Sequence, residues 1–227
     1  MATIGVLGGM GAMATAAFYA MLTNAQTIQT EQEYLDAIIY SKTSIPDRTA
    51  FILGHSSNDP THDLIAAATT LEQAGVDFIA IACVTAHYFY ETIVHAVSIP
   101  VINMLDEITL HIKAQGLKNV GLLATDGTIQ SRILHNVLQP IGIHLVTPEP
   151  VQQEMLMKLI YNIKQGRPVT RESLTKQEEA LFAKGAEAVI LGCTELSLIN
   201  GEDDKKRIDV LAVLADAALR LGNQYKK

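Results

Sequence analysis

The sequence contains only two cysteines in 227 residues, Cys83 and Cys193. So few thiols exclude the disulfide framework that stabilises many small secreted domains. We therefore expect free thiols and a cytoplasmic location. The scarcity makes the placement of each cysteine informative, although a lone free cysteine is usually only a small buried residue.

Positive charge and long apolar runs are scarce as well. The chain carries 17 lysine and arginine residues against 24 aspartate and glutamate residues, a formal net charge of −7. Nucleic acids and anionic membranes usually bind surfaces of the opposite sign. No apolar run approaches the roughly 20 residues that span a bilayer, and the N-terminus lacks the basic segment of a signal peptide. We expect neither a nucleic-acid nor a membrane partner.

Short apolar segments alternate with longer amphipathic segments along the whole chain. This alternation favours parallel sheets covered by helices, because successive βαβ units bury their strands in that way. Thr61 is a candidate N-cap, with Gly75 beyond the end of the same helix. The predicted strands include residues 3–9, 36–42, 77–83, 143–148 and 187–193 and the start of 119–128, and the predicted helices 12–27, 61–75, 129–142, 151–166, 171–186 and 208–227.

The two halves of the sequence resemble each other in the order of their features. Residues 4–15 align with residues 120–131, and residues 74–87 align with residues 184–197. We interpret this as an internal duplication that produces two similar α/β lobes, related by a pseudo-twofold axis. The predicted lobes are residues 1–102 and 103–207, with a C-terminal helix at 208–227 that packs back on the first lobe.

The duplication places Cys83 and Cys193 at equivalent strand ends, one in each lobe. Ligands of open α/β sheets bind at the carboxyl ends of strands, so both sulfurs could face one ligand in the cleft between the lobes. Arg48 suits carboxylate recognition, and Thr125 offers a hydroxyl after a strand. Each of these residues also has an interpretation without a functional role. Arg48 would then be a solvated loop residue and Thr125 a turn residue. Lys164, a further candidate, would be a surface lysine.

Two other kinds of site are weaker interpretations. Gly9, Gly11 and Ala14 fit the dinucleotide fingerprint G-x-G-x-x-A, but a lone fingerprint is weak and Asp36 begins the next strand instead of ending it. His87 could serve as the base of a Cys–His hydrolase, yet no third orienting group is evident. The remaining histidines are too scattered for a zinc site.

Six segments, in chain order, carry a resemblance to a known family: GVLGGMG, IPDRT, ACVTAH, LLATDGT, YNIKQG and LGCTEL. Together they resemble the aspartate/glutamate racemase family, and its aspartate racemase branch most. The resemblance implies an isomerase without cofactor or metal, expected to be a homodimer, in which Cys83 and Cys193 act on opposite faces of a dicarboxylic amino acid. It assigns substrate binding to Met10, Arg48, Thr49, Val84, Thr85, Thr125, Lys164, Thr194 and Glu195.

The sequence departs from the family pattern at two positions. Val84 stands where the family usually has asparagine, and Ala12 where proline is usual. The missing amide leaves three interpretations open besides aspartate racemisation. These are racemisation of glutamate or another substrate, a related reaction such as maleate isomerisation or malonate decarboxylation, and an amino-acid-binding paralogue with weak or no turnover.

Overall fold

The computed structural model describes residues 2–199 and 206–225. Strands and helices alternate through this part of the chain, and none of its helices is long and apolar enough to cross a bilayer. Short 3-10 helices lie at Glu31–Glu33, Thr85–Phe89, Gln139–Ile141 and Thr194–Ile199. The other elements are β1 (Thr3–Gly8), α1 (Ala12–Asn24), β2 (Asp36–Ser41), α2 (Arg48–Ile52), α3 (Thr61–Gln73), β3 (Phe78–Ile81), α4 (Tyr90–Val94), α5 (Met104–Ala114), β4 (Asn119–Leu123), α6 (Asp126–Gln130), α7 (Ile133–Leu138), β5 (His144–Val146), α8 (Pro150–Lys164), α9 (Arg171–Ala183), β6 (Ala188–Leu191), β7 (Arg207–Asp209) and α10 (Val210–Gln224).

The strands form two parallel sheets with matching order. The first sheet is ordered β2-β1-β3 and the second β5-β4-β6-β7. A parallel bridge between Ile79 and Val101 extends the first sheet beyond β3, in the place that β7 occupies beside β6. The predicted α/β architecture with two similar lobes is therefore confirmed.

Strands β3 and β6 form because their residues are apolar on both faces. All four residues of β3 and all four of β6 are buried, as expected for parallel strands covered by helices on both sides. Glycines at equivalent positions let a helix approach each central strand closely. A Cβ added to Gly5 of β1 would lie 3.3 Å from Leu71 in α3, and one added to Gly121 of β4 would lie 2.9 Å from Leu181 in α9.

The lobes share one hydrophobic core because each exchanges a helix with the other. Helix α10 follows the second sheet but packs against α1, while α5 follows the first sheet but packs against α7. Buried side chains of both sheets, α1, α5 and α10 form one cluster. Two further clusters lie on the outer sides, and they include Cys83 in the first lobe and Cys193 in the second.

Helices α2 and α5 were not predicted, and three further local features differ from the sequence prediction. The predicted helix 129–142 is interrupted at Arg132, whose φ of 57° is left-handed, so α6 and α7 are separate. Strand β7 was not predicted, since three residues with one buried side chain give no clear pattern. Thr61 is the first residue of α3 instead of its N-cap, and it donates its backbone N–H to Asp59 Oδ1.

Candidate active site

Each cysteine lies two residues beyond the end of a fully buried strand. Cys83 follows β3 and Cys193 follows β6, and a short 3-10 helix begins soon after each. Their exposed fractions are 5% and 6%, so both thiols are buried. Each sheet therefore has one thiol at its carboxyl edge, where open α/β sheets bind ligands.

The loop after Cys193 reaches into the first lobe through Glu195. The Cys193 thiol donates to Glu195 Oε2 across 2.9 Å, and the backbone N–H of Gly11 donates to Oε1 across 3.0 Å. A Cβ added to Gly11 would lie 3.0 Å from the same Oε1 atom, so glycine permits this approach. The buried carboxylate thus connects Cys193 to the turn before α1.

The loop after Cys83 reaches into the second lobe through Thr85. The Thr85 hydroxyl lies 3.0 Å from Thr125 Oγ1 and 2.9 Å from Thr128 Oγ1, and those two atoms are 3.2 Å apart. Thr125 also caps α6, where its side chain accepts from the backbone N–H of Thr128. A ring of three hydroxyls lets each one donate to the next, which satisfies these buried polar groups.

Thr85 and Glu195 occupy equivalent positions, each two residues after a cysteine. They also contact equivalent turns, since Gly11 aligns with Gly127, the neighbour of Thr128. The two loops therefore exchange contacts symmetrically between the lobes. The chemistry is unequal, because one contact uses a carboxylate and the other uses hydroxyls.

Arg48 lies at the start of α2 and is 6% exposed. Its Nη1 donates to the carbonyls of Ile45 and Pro46, and its Nη2 donates to the carbonyl of Met10 across 3.3 Å. Its Nε is buried and has no hydrogen-bond partner within residues 2–199 and 206–225. A free donor on a buried guanidinium suits an anionic acceptor such as a carboxylate.

Lys164, at the end of α8, places a positive charge between the two lobes. Burial is the largest single influence and lowers the pKa of Lys164, but Glu195, Cys193 and Cys83 together raise it above its usual value. Its Cγ lies 4.0 Å from the Cβ that an alanine at Gly11 would have. Lys164 therefore remains an ammonium ion, and both cysteines act on it electrostatically.

Tyr161, one turn before Lys164, connects α8 with α2. Its hydroxyl donates to Asp47 Oδ2 across 3.1 Å, while Asp47 Oδ1 accepts from the N–H of Ala50 and caps α2. Burial raises the pKa of Asp47, but the Ala50 hydrogen bond and the charges of Lys164 and Arg48 hold it below its usual value. Burial and Asp47 raise the pKa of Tyr161 to about 12. The pair is a phenol and a carboxylate at neutral pH.

His87 supports the Cys83 loop through its ring nitrogens. The N–H of Met104 donates to Nε2 across 3.1 Å, so Nδ1 carries the proton and donates to the carbonyl of Cys83 across 2.9 Å. Burial lowers the pKa of His87 to about 4. Because both nitrogens bind backbone groups, the geometry argues against His87 as the base of a Cys–His hydrolase.

The other predicted substrate-binding residues occupy varied positions. Met10 is buried in the outer cluster of the first lobe. Thr49 packs on the second lobe, since a Cβ on Gly127 would come within 2.9 Å of it. Thr194 donates to Glu195 Oε2 across 3.4 Å. The side chain of Val84 packs in the core that the lobes share. Only the backbone of Val84 therefore remains for the predicted substrate binding.

The glycine turn before α1 has a structural use that does not involve a nucleotide. Gly9 has a φ of 88°, and an added Cβ would come within 2.6 Å of three backbone atoms of Lys42. The N–H of Gly9 donates to Thr15 Oγ1, and the N–H of Gly11 is occupied by Glu195. In the described part of the chain, no group of three or more potential ligand side chains could hold a metal ion.

The site also contains residues that the sequence prediction did not assign to it: Asp47, Tyr161, Thr128, Gly11 and His87. Tyr161 and Thr128 lie in motifs that were identified, one turn or less from a predicted site residue. Asp47 and Gly11 had no individual signal, because their role depends on contacts with distant segments.

Comparisons with known proteins agree with this fold. The family model described as Asp/Glu/Hydantoin racemase matches residues 7–218. The broad specificity amino-acid racemase RacX of Bacillus subtilis (strain 168) is 32% identical over 206 residues, which cover 86% of each chain. Among solved structures, Picrophilus torridus aspartate racemase has a TM-score of 0.84 and 28% identity, with 98% of this chain and 95% of that chain covered.

A second solved structure, an aspartate racemase homologue from Pyrococcus horikoshii OT3, has a TM-score of 0.77 and 27% identity. The match covers 98% of this chain and all of that chain. Both structures therefore share the two-lobed architecture along nearly the whole sequence. The protein is an isomerase of the racemase type and belongs to the Asp/Glu/Hydantoin racemase family.

Proposed function

We propose that the protein interconverts L- and D-aspartate, with glutamate as an alternative substrate, through Cys83 and Cys193 and without a cofactor. One cysteine, as thiolate, removes the α-proton, and the other, as thiol, delivers a proton to the opposite face. The roles exchange for the reverse reaction. A thiol suits both roles, because its pKa lies near neutrality and responds strongly to its surroundings.

The pairing of the thiols is the observation that carries this proposal. Cys83 and Cys193 lie at equivalent strand ends of two similar lobes, and both act electrostatically on Lys164. A racemase must remove a proton from one face of a carbon and return one to the other. Two similar bases on two similar lobes match that requirement.

The cations of the site support carbanion chemistry. The α-proton of an amino acid is weakly acidic, so negative charge that develops on the α-carboxylate needs stabilisation. Both cysteines act electrostatically on the ammonium group of Lys164, and the Nε of Arg48 is a buried donor with no partner in the described segments. We assign the two substrate carboxylates to these two cations.

The names of the relatives support aspartate as the first substrate to test. The structure with a TM-score of 0.84 is an aspartate racemase, while the Bacillus subtilis relative is named for broad specificity. The two free thiols are consistent with a reducing compartment. The proposal therefore includes a cytoplasmic homodimer, as the family resemblance implies.

A chiral assay of L- and D-aspartate and glutamate, without added pyridoxal phosphate or metal, tests the proposal. We expect the unmodified protein to produce the opposite enantiomer of aspartate. Cys83→Ala and Cys193→Ala should each lower the rate by roughly 10²–10⁴-fold, the usual contribution of a general acid or base. Met13→Ala, at an exposed position of α1, is the control and should leave the rate unchanged. No conversion of aspartate by the folded protein would contradict the proposal.

A further inference from the structure

The two thiols have unequal surroundings although they occupy equivalent positions. Two residues after Cys83 stands Thr85, whose hydroxyl is held in the ring with Thr125 and Thr128. Two residues after Cys193 stands Glu195, whose carboxylate oxygen lies 2.9 Å from the sulfur. The loop of one thiol therefore carries a buried carboxylate where the loop of the other carries a neutral hydroxyl.

Glu195 is held in place from the opposite lobe. Its Oε1 accepts from the N–H of Gly11, which leaves Oε2 to accept from Cys193 and Thr194. The side chain is 2% exposed, so water cannot easily replace either contact. The carboxylate thus has a fixed orientation, with one oxygen directed at the Cys193 sulfur.

From this geometry we infer that Glu195 is a positioning residue that accepts the thiol hydrogen of Cys193, so that Cys193 is the protonated partner of the resting pair and Cys83 takes the role of the base. The inference rests on the proposed two-thiol function and specifies how its roles are divided. A second negative charge on Cys193 would lie 2.9 Å from Glu195, and like charges that close do not both ionise readily.

The titratable groups that face Cys193 are Glu195 on its own loop and Lys164 from α8. Burial and Glu195 raise the pKa of Cys193 well above its usual value, while Lys164 acts in the opposite direction. Arg48 and Cys83 face the same Lys164 from the first lobe. The ammonium ion of Lys164 therefore acts on the Cys83 side of the site as well as on Cys193.

The division of roles has a consequence for turnover. In the forward step, the α-proton passes to the Cys83 thiolate and the thiol hydrogen of Cys193 passes to the opposite face of the carbon. The enzyme then holds its proton on Cys83 and its charge on Cys193, beside Glu195. A proton must return from Cys83 to Cys193 through solvent before the resting form is restored. The two enantiomers therefore encounter the enzyme in forms of unequal population.

Single-thiol proteins test the inference without any turnover. In Cys83→Ser protein, the ionisation of Cys193 is followed by its ultraviolet thiolate absorbance and by its rate of alkylation with iodoacetamide between pH 6 and 10. Glu195→Gln keeps an oxygen for the Gly11 N–H but presents an N–H to the sulfur. We expect this substitution to raise the alkylation rate of Cys193 at pH 7 by about tenfold or more, the effect of a shift of one pKa unit or more.

Two controls make the result specific. Glu195→Gln in Cys193→Ser protein should change the alkylation of Cys83 much less. Glu154→Gln, which removes an exposed carboxylate from α8, should change neither thiol. Unchanged ionisation of Cys193 in the Glu195→Gln protein would overturn the inference, whatever the racemase assay shows.

If Glu195→Gln prevents folding, the two single-thiol proteins with Glu195 intact still decide the matter. Cys83 should then carry the larger thiolate absorbance at pH 7, and a larger absorbance at Cys193 would refute the assignment. Loss of racemisation in Cys83→Ala and Cys193→Ala belongs to the proposed function and is measured separately. Failure of the inference is therefore distinguishable from failure of the two-thiol function.

Discussion

His87 follows Cys83 by four residues, and both of its ring nitrogens bind the backbone. The ring accepts from Met104 at the start of α5 and donates to the carbonyl of Cys83. It therefore fixes the thiol loop to the next helix in its neutral form. Ser197 occupies the equivalent place after Cys193 and donates to Asp209, the N-cap of α10. Each thiol loop is thus connected to the helix that the lobes exchange.

The low pKa of His87 predicts a loss of stability in acid. Its pKa falls from 6.5 to about 4 on folding, so the stabilisation is present above pH 6.5 and is lost as the pH falls toward 4. Between pH 7 and 5, the free energy of unfolding should decrease by about 2 kcal/mol more in the unmodified protein than in His87→Gln. Urea unfolding at both pH values measures this difference.

His55→Gln is the matched control for that measurement, because His55 is exposed. It should retain the full acid dependence of the unmodified protein. The same pH dependence in His87→Gln as in the unmodified protein would show that His87 is not the residue responsible.

At the residue scale, the sequence motifs identified candidate site residues that the amino-acid composition alone could not identify. Glu195 lies 2.9 Å from Cys193, and both cysteines act electrostatically on Lys164. Their assignment to catalysis and substrate binding stays a prediction. The role of Asp47 was not predictable, because its partner Tyr161 is 114 positions away. The packing of Val84 in the shared core was also not predictable, since the sequence does not show the direction of a side chain that neighbours a cysteine.

Helix α8 belongs to the second lobe, and its last turn contacts the part of the candidate site that the first lobe provides. Its capping box at Glu149 and Gln152 fixes its start, and its last turn carries Tyr161 and Lys164 on one face. Tyr161 donates to Asp47 at the start of α2, and Asp47 is followed directly by Arg48. One contact between two helix ends therefore aligns both cations of the proposed site.

Removal of that contact should weaken the protein measurably. Tyr161→Phe deletes only the hydroxyl, so it loses one hydrogen bond to a carboxylate, and we expect the free energy of unfolding to fall by about 1–2 kcal/mol. Tyr19→Phe, at a position 43% exposed on α1, should change it by less than about 0.5 kcal/mol. Equal effects of the two substitutions in urea unfolding would contradict the assigned role.

Most long periodic elements were predicted at this scale, whereas several short elements and helix α5 were not. Helices α3, α8 and α9 and strands β1, β3 and β6 lie where the apolar pattern places them. Strand β7 has three residues, and its pairing with β6 depends on tertiary contacts. Arg132 adopts a left-handed φ, which is unusual for arginine. No glycine or proline at this position indicates the break between α6 and α7, so the sequence did not predict it.

At the scale of the whole molecule, the duplication explains both the fold and the pairing of thiols. Each lobe repeats the same strand order, and each donates its last helix to the other. The exchanged helices and the shared core fix the position of the carboxyl edge of one sheet relative to that of the other. The boundary at residue 102 stays a prediction, because that shared core includes side chains from both sides of it.

The central claim is that each lobe supplies one thiol to one face of a common substrate carbon. The most direct test is exchange of the α-hydrogen of L- and D-aspartate in D₂O, followed by proton NMR and chiral separation. The unmodified protein should place deuterium in both enantiomers. Cys83→Ala and Cys193→Ala should racemise roughly 10²–10⁴-fold more slowly, and on that timescale each should exchange only one enantiomer, a different one for each variant. Exchange of the same enantiomer by both variants, or full racemisation by either, would contradict the account.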